Sequence, residues 1–222
     1  MQIESNTTIL DQFGWVFRAS SLNEAPKRVL LLLHGWTGDE NSMWTFARNF
    51  PPEYAIIAPR APFLAPKEKG GYSWRDLKPG TWGSPTLDEL RPPADGLVSL
   101  VDEWRATLNI TSAPFDVIGF SQGGALATLL AILYPQRIRK LAVLAGFIPK
   151  GVGEAHLVPD LLDGMQCFWA HGTQDDMVTF ERGRSSAEML EKAGAQIQFC
   201  VADVGHRVSR ECRRALDDFM TA

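Results

Sequence analysis

The chain has 222 residues, of which 45% are hydrophobic, and its formal net charge at pH 7 is −4. A chain of this length can bury a substantial core without a disulfide or a metal ion, and its length favours a single domain over residues 1–222. The mild acidity provides no basic footprint for nucleic acid or for an anionic membrane surface, which excludes both classes of partner.

Short apolar runs alternate with longer amphipathic or apolar stretches along the chain. The predicted elements, in chain order, are strands 12–19 and 29–33, helix 41–50, strand 54–58, helix 95–108, strand 115–120, helix 122–134, strands 141–145 and 165–170, helix 180–193, strand 197–201 and helix 207–220. Several strands are apolar almost throughout, as strands covered on both faces are. The alternation therefore predicts an α/β fold with a mostly parallel sheet and helices on both faces.

The segment 59–93 breaks this alternation, because it contains seven of the fourteen prolines. A long irregular connection inside a compact domain is usually functional or disordered. The segment carries five large side chains that are not typical of disorder, namely Phe63, Leu64, Tyr72, Trp74 and Trp82. We therefore expect it to form a flap or a pocket wall.

The three cysteines, Cys167, Cys200 and Cys212, are too few and too irregularly spaced for a disulfide framework. Cys167 and Cys200 lie within apolar runs, which favours buried free thiols on strands. The first ten residues lack the pattern of a signal peptide, and no apolar stretch reaches the roughly 18 residues of a membrane span. These observations predict a cytoplasmic location.

Residues 119–123, Gly-Phe-Ser-Gln-Gly, match the motif G-x-S-x-G between a predicted strand and a predicted helix. In that setting the motif presents a nucleophilic serine on a sharp, strained turn. Side chains at positions 119 and 123 would collide at such a turn, which explains the two glycines. The N-terminus of the following helix favours developing negative charge. The motif thus predicts Ser121 as the nucleophile of a serine hydrolase.

The order serine, acid, histidine accompanies this motif and selects the base. His206 follows the candidate acids, whereas His171 precedes them and is interpreted as a strand-end histidine bonded to the next loop. Asp175 and Asp176 are adjacent, so at most one can face the imidazole, and Asp203 is a third candidate. The acid would orient the imidazole and stabilise its charged form.

Two backbone N–H groups are expected to bind the oxyanion, one from the residue after the serine and one from the loop after strand 29–33. Those residues are Gln122 and Trp36, and Gly35 and Gly38 allow the loop to curl towards the substrate. The sequence contains no H-E-x-x-H motif and no Cys/His cluster, so neither a metal nor a cofactor is expected.

Apolar side chains on loops at the carboxyl edge of the sheet are the candidates for substrate binding, because open α/β sheets bind ligands there. They are Phe63, Leu64, Trp74, Trp82 and Met177. An apolar site without a cluster of arginines favours an uncharged acyl or alkyl ester. Arg60 and Arg75 are the two residues that could meet a charged head group.

Five blocks of sequence support a resemblance: 33–38 (LHGWTG), 59–62 (PRAP), 119–124 (GFSQGG), 171–175 (HGTQD) and 205–206 (GH). They resemble the phospholipase/carboxylesterase family of α/β-hydrolases, which includes small bacterial carboxylesterases and acyl-protein thioesterases. The resemblance implies an α/β-hydrolase fold without a large cap domain. It also implies a triad of Ser121, Asp175 and His206, with backbone oxyanion donors at Trp36 and Gln122.

These residues predict a serine carboxylesterase that hydrolyses short- to medium-chain acyl esters through an acyl-enzyme. Lysophospholipase or acyl-protein thioesterase activity by the same triad is one alternative. A non-catalytic binding protein on a hydrolase scaffold is another. The expected partner is a small-molecule acyl ester, and a homodimer is compatible with the sequence. Neither nucleic acid binding nor stable membrane insertion is expected.

Overall fold

A computed structural model describes residues 7–20, 25–77, 84–112, 114–153 and 155–222. Its elements are, in chain order, β1 (Thr7–Gln12), β2 (Trp15–Ser20), β3 (Arg28–Leu33), β4 (Tyr54–Pro59), β5 (Phe63–Leu64), β6 (Tyr72–Ser73), α1 (Leu87–Thr107), β7 (Phe115–Phe120), α2 (Gln122–Leu133), β8 (Ile138–Leu144), β9 (Gln166–Gly172), α3 (Phe180–Lys192), β10 (Gln196–Ala202) and α4 (Arg210–Thr221). Two short 3-10 helices, Trp44–Ala47 and Pro135–Arg137, complete the described elements.

Eight of the strands form one sheet in the order β1-β2-β4-β3-β7-β8-β9-β10. The pairs β1/β2 and β2/β4 are antiparallel, and the other neighbours are all parallel. The predicted mostly parallel sheet is therefore confirmed. Parallel strands place their carboxyl ends at one edge, so the loops after β3, β7, β9 and β10 meet there.

Helices cover both faces of the sheet, as the sequence predicts. The larger apolar cluster contains buried residues of α1, α2 and α3, and the smaller one contains those of α4 and of the 3-10 helix Trp44–Ala47. Among the described residues, no large cap domain lies over the sheet. Over the same residues, no helix combines the length and the apolar character needed to cross a bilayer.

The helix α2 is buried on nearly every side, with all positions from 122 to 132 buried. It therefore lacks the polar face of a surface helix. It ends at Leu133 because Pro135 follows and cannot continue the backbone ladder. A rigid buried helix behind Ser121 fixes the position of the turn that carries the serine.

The N-terminal region contains two strands, where the sequence predicted one shorter strand. Residues 12–19 were expected to form a single strand, but the chain forms the hairpin β1/β2. Phe13 and Gly14 make the turn with positive φ angles of 58° and 74°. Positive φ at both central residues is the conformation that matches the twist of a two-residue hairpin.

Two helix predictions also differ from the structure. In place of a helix over 41–50, only the 3-10 helix Trp44–Ala47 forms. Before it, the Asp39 carboxylate accepts from the backbone N–H groups of Asn41 and Ser42, both at 3.0 Å. The helix α1 begins at Leu87 rather than at position 95. Thr86 and Glu89 form a capping box there, a signal that the proline-rich composition of the segment concealed.

The prediction of a free thiol at Cys200 was wrong, because Cys200 and Cys212 form a disulfide. The bond joins β10 to α4, with Cα atoms 5.7 Å apart. It spans the connection that carries His206. Cys167 is free and buried in β9, and burial raises the pKa of its thiol to about 12. Sequence spacing could not find the pair, because the sheet edge and the helix that bring the two residues together are tertiary features.

Removing the disulfide is expected to destabilise the fold. Cross-linking a loop of this size restricts the unfolded chain and contributes on the order of 3 kcal/mol, which corresponds to roughly 6–12 °C in melting temperature for a chain of this length. We therefore expect the double variant Cys200→Ala/Cys212→Ala to melt that much below wild type. Dithiothreitol should lower the melting temperature of wild type but not that of the variant. A wild-type melting curve that reductant leaves unchanged would contradict the expectation.

Candidate active site

Ser121 lies at the turn between β7 and α2, in a backbone conformation that residues other than glycine rarely adopt. Its φ and ψ angles are 53° and −115°. Such a conformation costs on the order of 1–3 kcal/mol and persists only where its surroundings impose it. Here the Ser121 N–H donates to the Leu144 carbonyl oxygen at 2.9 Å, and the Ser121 carbonyl oxygen accepts from the N–H of Ala125 at 3.0 Å. The sheet and the buried helix together hold the turn.

The glycines on either side of Ser121 are required by close backbone approach. A Cβ atom at Gly119 would lie 2.2 Å from the Gly123 carbonyl oxygen. A Cβ atom at Gly123 would lie 2.3 Å from the Leu33 carbonyl oxygen and 2.5 Å from that of His34. The backbone therefore approaches both positions as closely as the motif predicts, and a side chain at either one would collide. Gly123 also lets α2 pack against the end of β3.

Three side chains form a continuous hydrogen-bonded chain at the carboxyl edge of the sheet. His206 Nε2 lies 2.9 Å from Ser121 Oγ, and His206 Nδ1 lies 2.7 Å from Asp175 Oδ2. Because the carboxylate can only accept, Nδ1 carries the proton and the Nε2 lone pair faces the serine hydroxyl. In this arrangement the imidazole can accept the proton of Ser121.

Asp175 is the aspartate that reaches the imidazole, and the other two candidates do not. Its side chain is buried, and its Oδ1 accepts from the backbone N–H groups of Met177 at 3.0 Å and Val178 at 2.9 Å. Asp176 is exposed, and Asp203 accepts from the Thr173 hydroxyl at 3.0 Å. The alternatives that the sequence left open are therefore separated by geometry.

His171 anchors the loop that carries Asp175. Its Nε2 lies 2.8 Å from the Val178 carbonyl oxygen, and Trp169 Nε1 donates to its Nδ1 at 3.4 Å. Burial is the main cause that lowers the pKa of His171, so the ring is neutral and donates from Nε2. His171 is therefore a strand-end histidine bonded to the next loop, as the sequence predicts. Its bond to Val178 holds the loop that positions Asp175.

The loops of the acid and the base are bonded directly to each other. The N–H groups of Thr173 and Gln174 donate to the carbonyl oxygens of Ala202 and Val204 at 2.9 and 3.0 Å. Gly172 permits this contact, since a Cβ atom there would lie 2.2 Å from the Val204 carbonyl oxygen. The acid and the base are held in register by backbone contacts as well as by their own hydrogen bond.

The two residues predicted to supply oxyanion donors lie beside Ser121. Trp36 and Gln122 both line the cavity that contains Ser121. Gln122 opens α2, and its buried side chain accepts from the Trp74 N–H at 3.0 Å and donates to Ser73 Oγ at 3.2 Å. A Cβ atom at Gly35 would lie 3.3 Å from that of Ser121, so the loop after β3 passes very close to the serine.

His34 holds the loop after β3 and was not identified from the sequence as a positioning residue. Its Nδ1 lies 2.7 Å from the Gly35 carbonyl oxygen, and its Nε2 accepts from the Ala61 N–H at 3.0 Å. Burial lowers the pKa of this imidazole, which keeps it neutral. Trp74 packs on it with ring centroids 5.0 Å apart and donates from Nε1 to the His34 carbonyl oxygen at 2.7 Å.

A cavity of about 300 Å³ opens at Ser121. The described residues that line it are Trp36, Arg75, Leu77, Ser84, Pro85, Ser121, Gln122, Phe147, Met177, Val178 and Arg182. Its volume is at the lower end of the roughly 300–1,000 Å³ of small-molecule sites. Among the described residues, no group of three or more side chains could hold a metal ion.

The predicted substrate residues are only partly at this cavity. Met177 lines it, but Trp74 is fully buried under the loop after β3 and has no surface to offer a ligand. Phe63 and Leu64 form β5 in a separate two-stranded sheet, where they are exposed and do not line the cavity. Trp82 lies outside the described residues. The large aromatic side chains of segment 59–93 indicated that it packs against the protein. The hairpin β5/β6 decides which of them are buried and which are exposed.

The cavity also contains charge, from Arg75, which the sequence analysis considered, and from Arg182, which it did not. Arg75 and Arg182 both contribute to its wall. The Nη1 atom of Arg75 donates to both carboxylate oxygens of Glu89 at 2.9 Å. Arg60, the other arginine considered, forms a two-bond ion pair with Glu40 at 2.7 and 2.8 Å and is not part of the wall.

Comparison with known proteins agrees with this fold. A probable carboxylesterase of Oryza sativa subsp. japonica is 29% identical over 203 residues, covering 86% of this chain and 76% of that protein. Acyl-protein thioesterase 1 of Debaryomyces hansenii is 25% identical over 218 residues, covering 87% of this chain and 90% of that protein. The crystal structure of a carboxylesterase from Mesorhizobium loti superimposes with a TM-score of 0.80 at 18% identity, covering 97% and 98% of the two chains.

The last of these similarities concerns the fold alone, because its sequence identity is low. The family assignment rests on the match of residues 17–222 to the phospholipase/carboxylesterase family. That match includes the loop after β3, the serine turn and the loops of Asp175 and His206. The chain is a hydrolase that belongs to the phospholipase/carboxylesterase family.

Proposed function

We propose that the chain is a serine carboxylesterase that hydrolyses short- to medium-chain acyl esters through an acyl-enzyme. The observation that carries the proposal is the unbroken hydrogen-bonded chain from Ser121 Oγ through His206 to Asp175 at the wall of a cavity. A merely structural cluster would have no need to hold its serine in a strained turn at the mouth of that cavity.

In the proposed mechanism, His206 Nε2 removes the proton from Ser121 Oγ while Oγ attacks the ester carbonyl carbon. The carbonyl oxygen becomes an oxyanion and is bound by the N–H groups of Trp36 and Gln122. Each such donor typically contributes roughly 3 kcal/mol to the transition state. Asp175 stabilises the imidazolium that forms and keeps its Nδ1 proton in place.

Collapse of the tetrahedral intermediate breaks the bond to the alcohol, which receives the proton from His206 and departs. The acyl group is then bound to Ser121 Oγ. Water attacks the acyl carbon with His206 as its base, and the second collapse releases the carboxylic acid and restores the serine hydroxyl. Every proton transfer in the two halves of the reaction begins or ends at His206. The proposed steps therefore use side chains, backbone N–H groups and water, without a cofactor.

The same residues could hydrolyse an acyl thioester or a lysophospholipid, and relatives in Debaryomyces hansenii and Cryptococcus neoformans are named acyl-protein thioesterase 1. The cavity of about 300 Å³ favours a compact acyl group over a long lipid chain. A series of aryl esters and acyl thioesters of increasing length separates these activities. Higher kcat/KM for a palmitoyl thioester than for a butyrate ester would reject the carboxylesterase proposal in favour of the alternative.

We propose the cytoplasm as the compartment, because three cysteines are too few for the dense disulfide framework of a small secreted domain. One observation of the structure opposes this proposal. The Cys200–Cys212 disulfide favours an oxidising compartment, because such bonds are rare where glutathione keeps thiols reduced. We keep the cytoplasm as the proposal. Thiol trapping in intact host cells tests it, since a fully oxidised pair in vivo would contradict it.

A fluorophosphonate probe tests whether Ser121 is a working nucleophile. Attack of Ser121 Oγ on phosphorus displaces fluoride, so wild type should acquire the probe's mass on the peptide that contains position 121. The reaction should be lost in the variant His206→Ala, which keeps the serine but removes its base. Folded wild-type protein that acquires no label at Ser121 would favour the alternative of a non-catalytic binding protein.

A further inference from the structure

We propose that the preferred substrates carry a carboxylate at the far end of a short acyl chain, and that Arg182 binds this carboxylate. The inference rests on the proposed esterase function of Ser121 and specifies its substrate class. It differs from the sequence-based expectation of an uncharged ester, which assumed an apolar site without a cluster of arginines.

Arg182 and Ser121 belong to the wall of the same cavity. The guanidinium lies over the Phe147 ring, 3.7 Å from its centroid, and Nη1 donates to Ser84 Oγ at 2.6 Å. These two contacts hold the group in one place. They use one of its five N–H donors, so the others can serve a ligand.

Among the described residues, no carboxylate forms an ion pair with Arg182, whereas Arg75, on the same cavity, is paired with Glu89. Burial lowers the pKa of the Arg182 guanidinium, although an arginine stays protonated at neutral pH. A partly desolvated cation without a counter-ion is costly, and an anionic ligand would offset that cost.

The position of Arg182 along its helix adds to this cost. Thr179 caps α3, and the N–H of Arg182 donates to its side chain at 3.3 Å, which places Arg182 in the first turn. A positive side chain is unfavourable at that end of a helix, because the free N–H groups already carry partial positive charge. Packing alone does not explain an arginine here, because an apolar side chain would cover Phe147 without that penalty.

A second cavity, of about 410 Å³, indicates which part of the substrate meets Arg182. It shares Trp36 with the first cavity, and Phe120, Arg207 and Val208 are among its other lining residues. Two of these residues directly follow His206, which must reach the departing alcohol to protonate it. The alcohol therefore belongs on the His206 side, and the acyl group belongs in the cavity of Arg182.

The test compares two aryl esters of equal acyl length, the mono-aryl ester of glutaric acid and the aryl ester of pentanoic acid. They share the leaving group, so the ratio of their kcat/KM values reports recognition of the distal carboxylate. A charged hydrogen bond of ordinary strength predicts a ratio of roughly ten to a hundred for wild type. A ratio near or below one overturns the inference.

Three variants locate the effect. Arg182→Gln should bring the ratio close to one, because kcat/KM falls much more for the glutaric ester than for the pentanoate ester, and Arg182→Lys should keep part of the preference. Arg184→Gln is the matched control, because Arg184 is half-exposed on the same helix and pairs with Glu188. An undiminished ratio in Arg182→Gln, or an equal loss on both esters, overturns the inference and leaves a structural role for Arg182.

Binding to Ser121→Ala separates this inference from the proposed function. Calorimetry with the glutaric monoester needs no turnover, and we expect it to bind at least tenfold more tightly than the pentanoate ester. If wild type hydrolyses neither ester but this difference in binding is found, the esterase proposal fails and the anionic site stands. If wild type hydrolyses both esters equally, the esterase proposal stands and the anionic site is wrong.

Discussion

Replacing Ser121 by alanine is expected to reduce kcat on a short-chain aryl ester by roughly 10⁴- to 10⁶-fold. The substitution removes the only atom of the hydrogen-bonded chain that can form the acyl-enzyme, while the oxyanion donors and the cavity remain. Residual hydrolysis would then come from water bound at the site. Initial rates measured with the same ester for both proteins, at matched concentration, give the ratio.

The loss of activity can be assigned to the missing hydroxyl only if Ser121→Ala folds like wild type. We expect Ser121→Ala to melt within a few degrees of wild type, because the turn is held by backbone hydrogen bonds to Leu144 and Ala125 that alanine retains. Ser99→Ala is the matched control, since Ser99 is exposed on α1 and should keep full activity. Activity of Ser121→Ala within tenfold of wild type would exclude Ser121 as the nucleophile.

The variant Asp175→Asn should lose roughly 10³- to 10⁴-fold in kcat/KM although it changes a single atom. The backbone N–H groups of Met177 and Val178 bind Oδ1 and would keep the amide oxygen there. The amide nitrogen would then face His206 and donate to Nδ1. That hydrogen bond forces the imidazole proton onto Nε2, where it points at Ser121, and His206 can no longer act as a base.

Asp176→Asn provides the control for the loss predicted at Asp175. It makes the identical chemical change one residue further on, at an exposed side chain. We expect its kcat/KM to stay within about twofold of wild type, and both variants to melt close to wild type. Equal losses in the two variants, or a larger loss at Asp176, would mean that the loop rather than one carboxylate is responsible.

Much of the site follows from local sequence because its chemistry depends on local geometry. Gly119 and Gly123 are required by the turn around Ser121, and such a turn leaves a recognisable motif. The order of the serine, the acid and the histidine reflects the order of the strands, which is fixed by the chain. By contrast, Asp175 and Asp176 are equivalent in type and differ by one position. Only the direction in which the loop after β9 bends separates them.

Other features depend on contacts between distant segments and leave no local signal. The role of His34 comes from the hydrogen bond that it accepts from the backbone N–H of Ala61, which follows another strand, β4. Trp74 is a large aromatic residue on a loop, as pocket residues often are, but it packs against His34 beneath the loop after β3. The aromatic pattern of a segment reports that it packs, and it does not report which side of it meets the substrate.

The sequence by itself determined the α/β class, the mostly parallel sheet and the identities of the serine and the histidine, because periodicity and a constrained turn are properties of neighbouring residues. Tertiary structure alone decided the pairing of Cys200 with Cys212 and the entry of Arg182 into the cavity of Ser121. The disulfide depends on how α4 packs against the preceding strand β10, and the entry of Arg182 depends on how α3 packs beside the turn between β7 and α2. Neither is set by the local pattern of the sequence. The charge that we propose to select the substrate is therefore visible only after α3 has packed beside the serine turn.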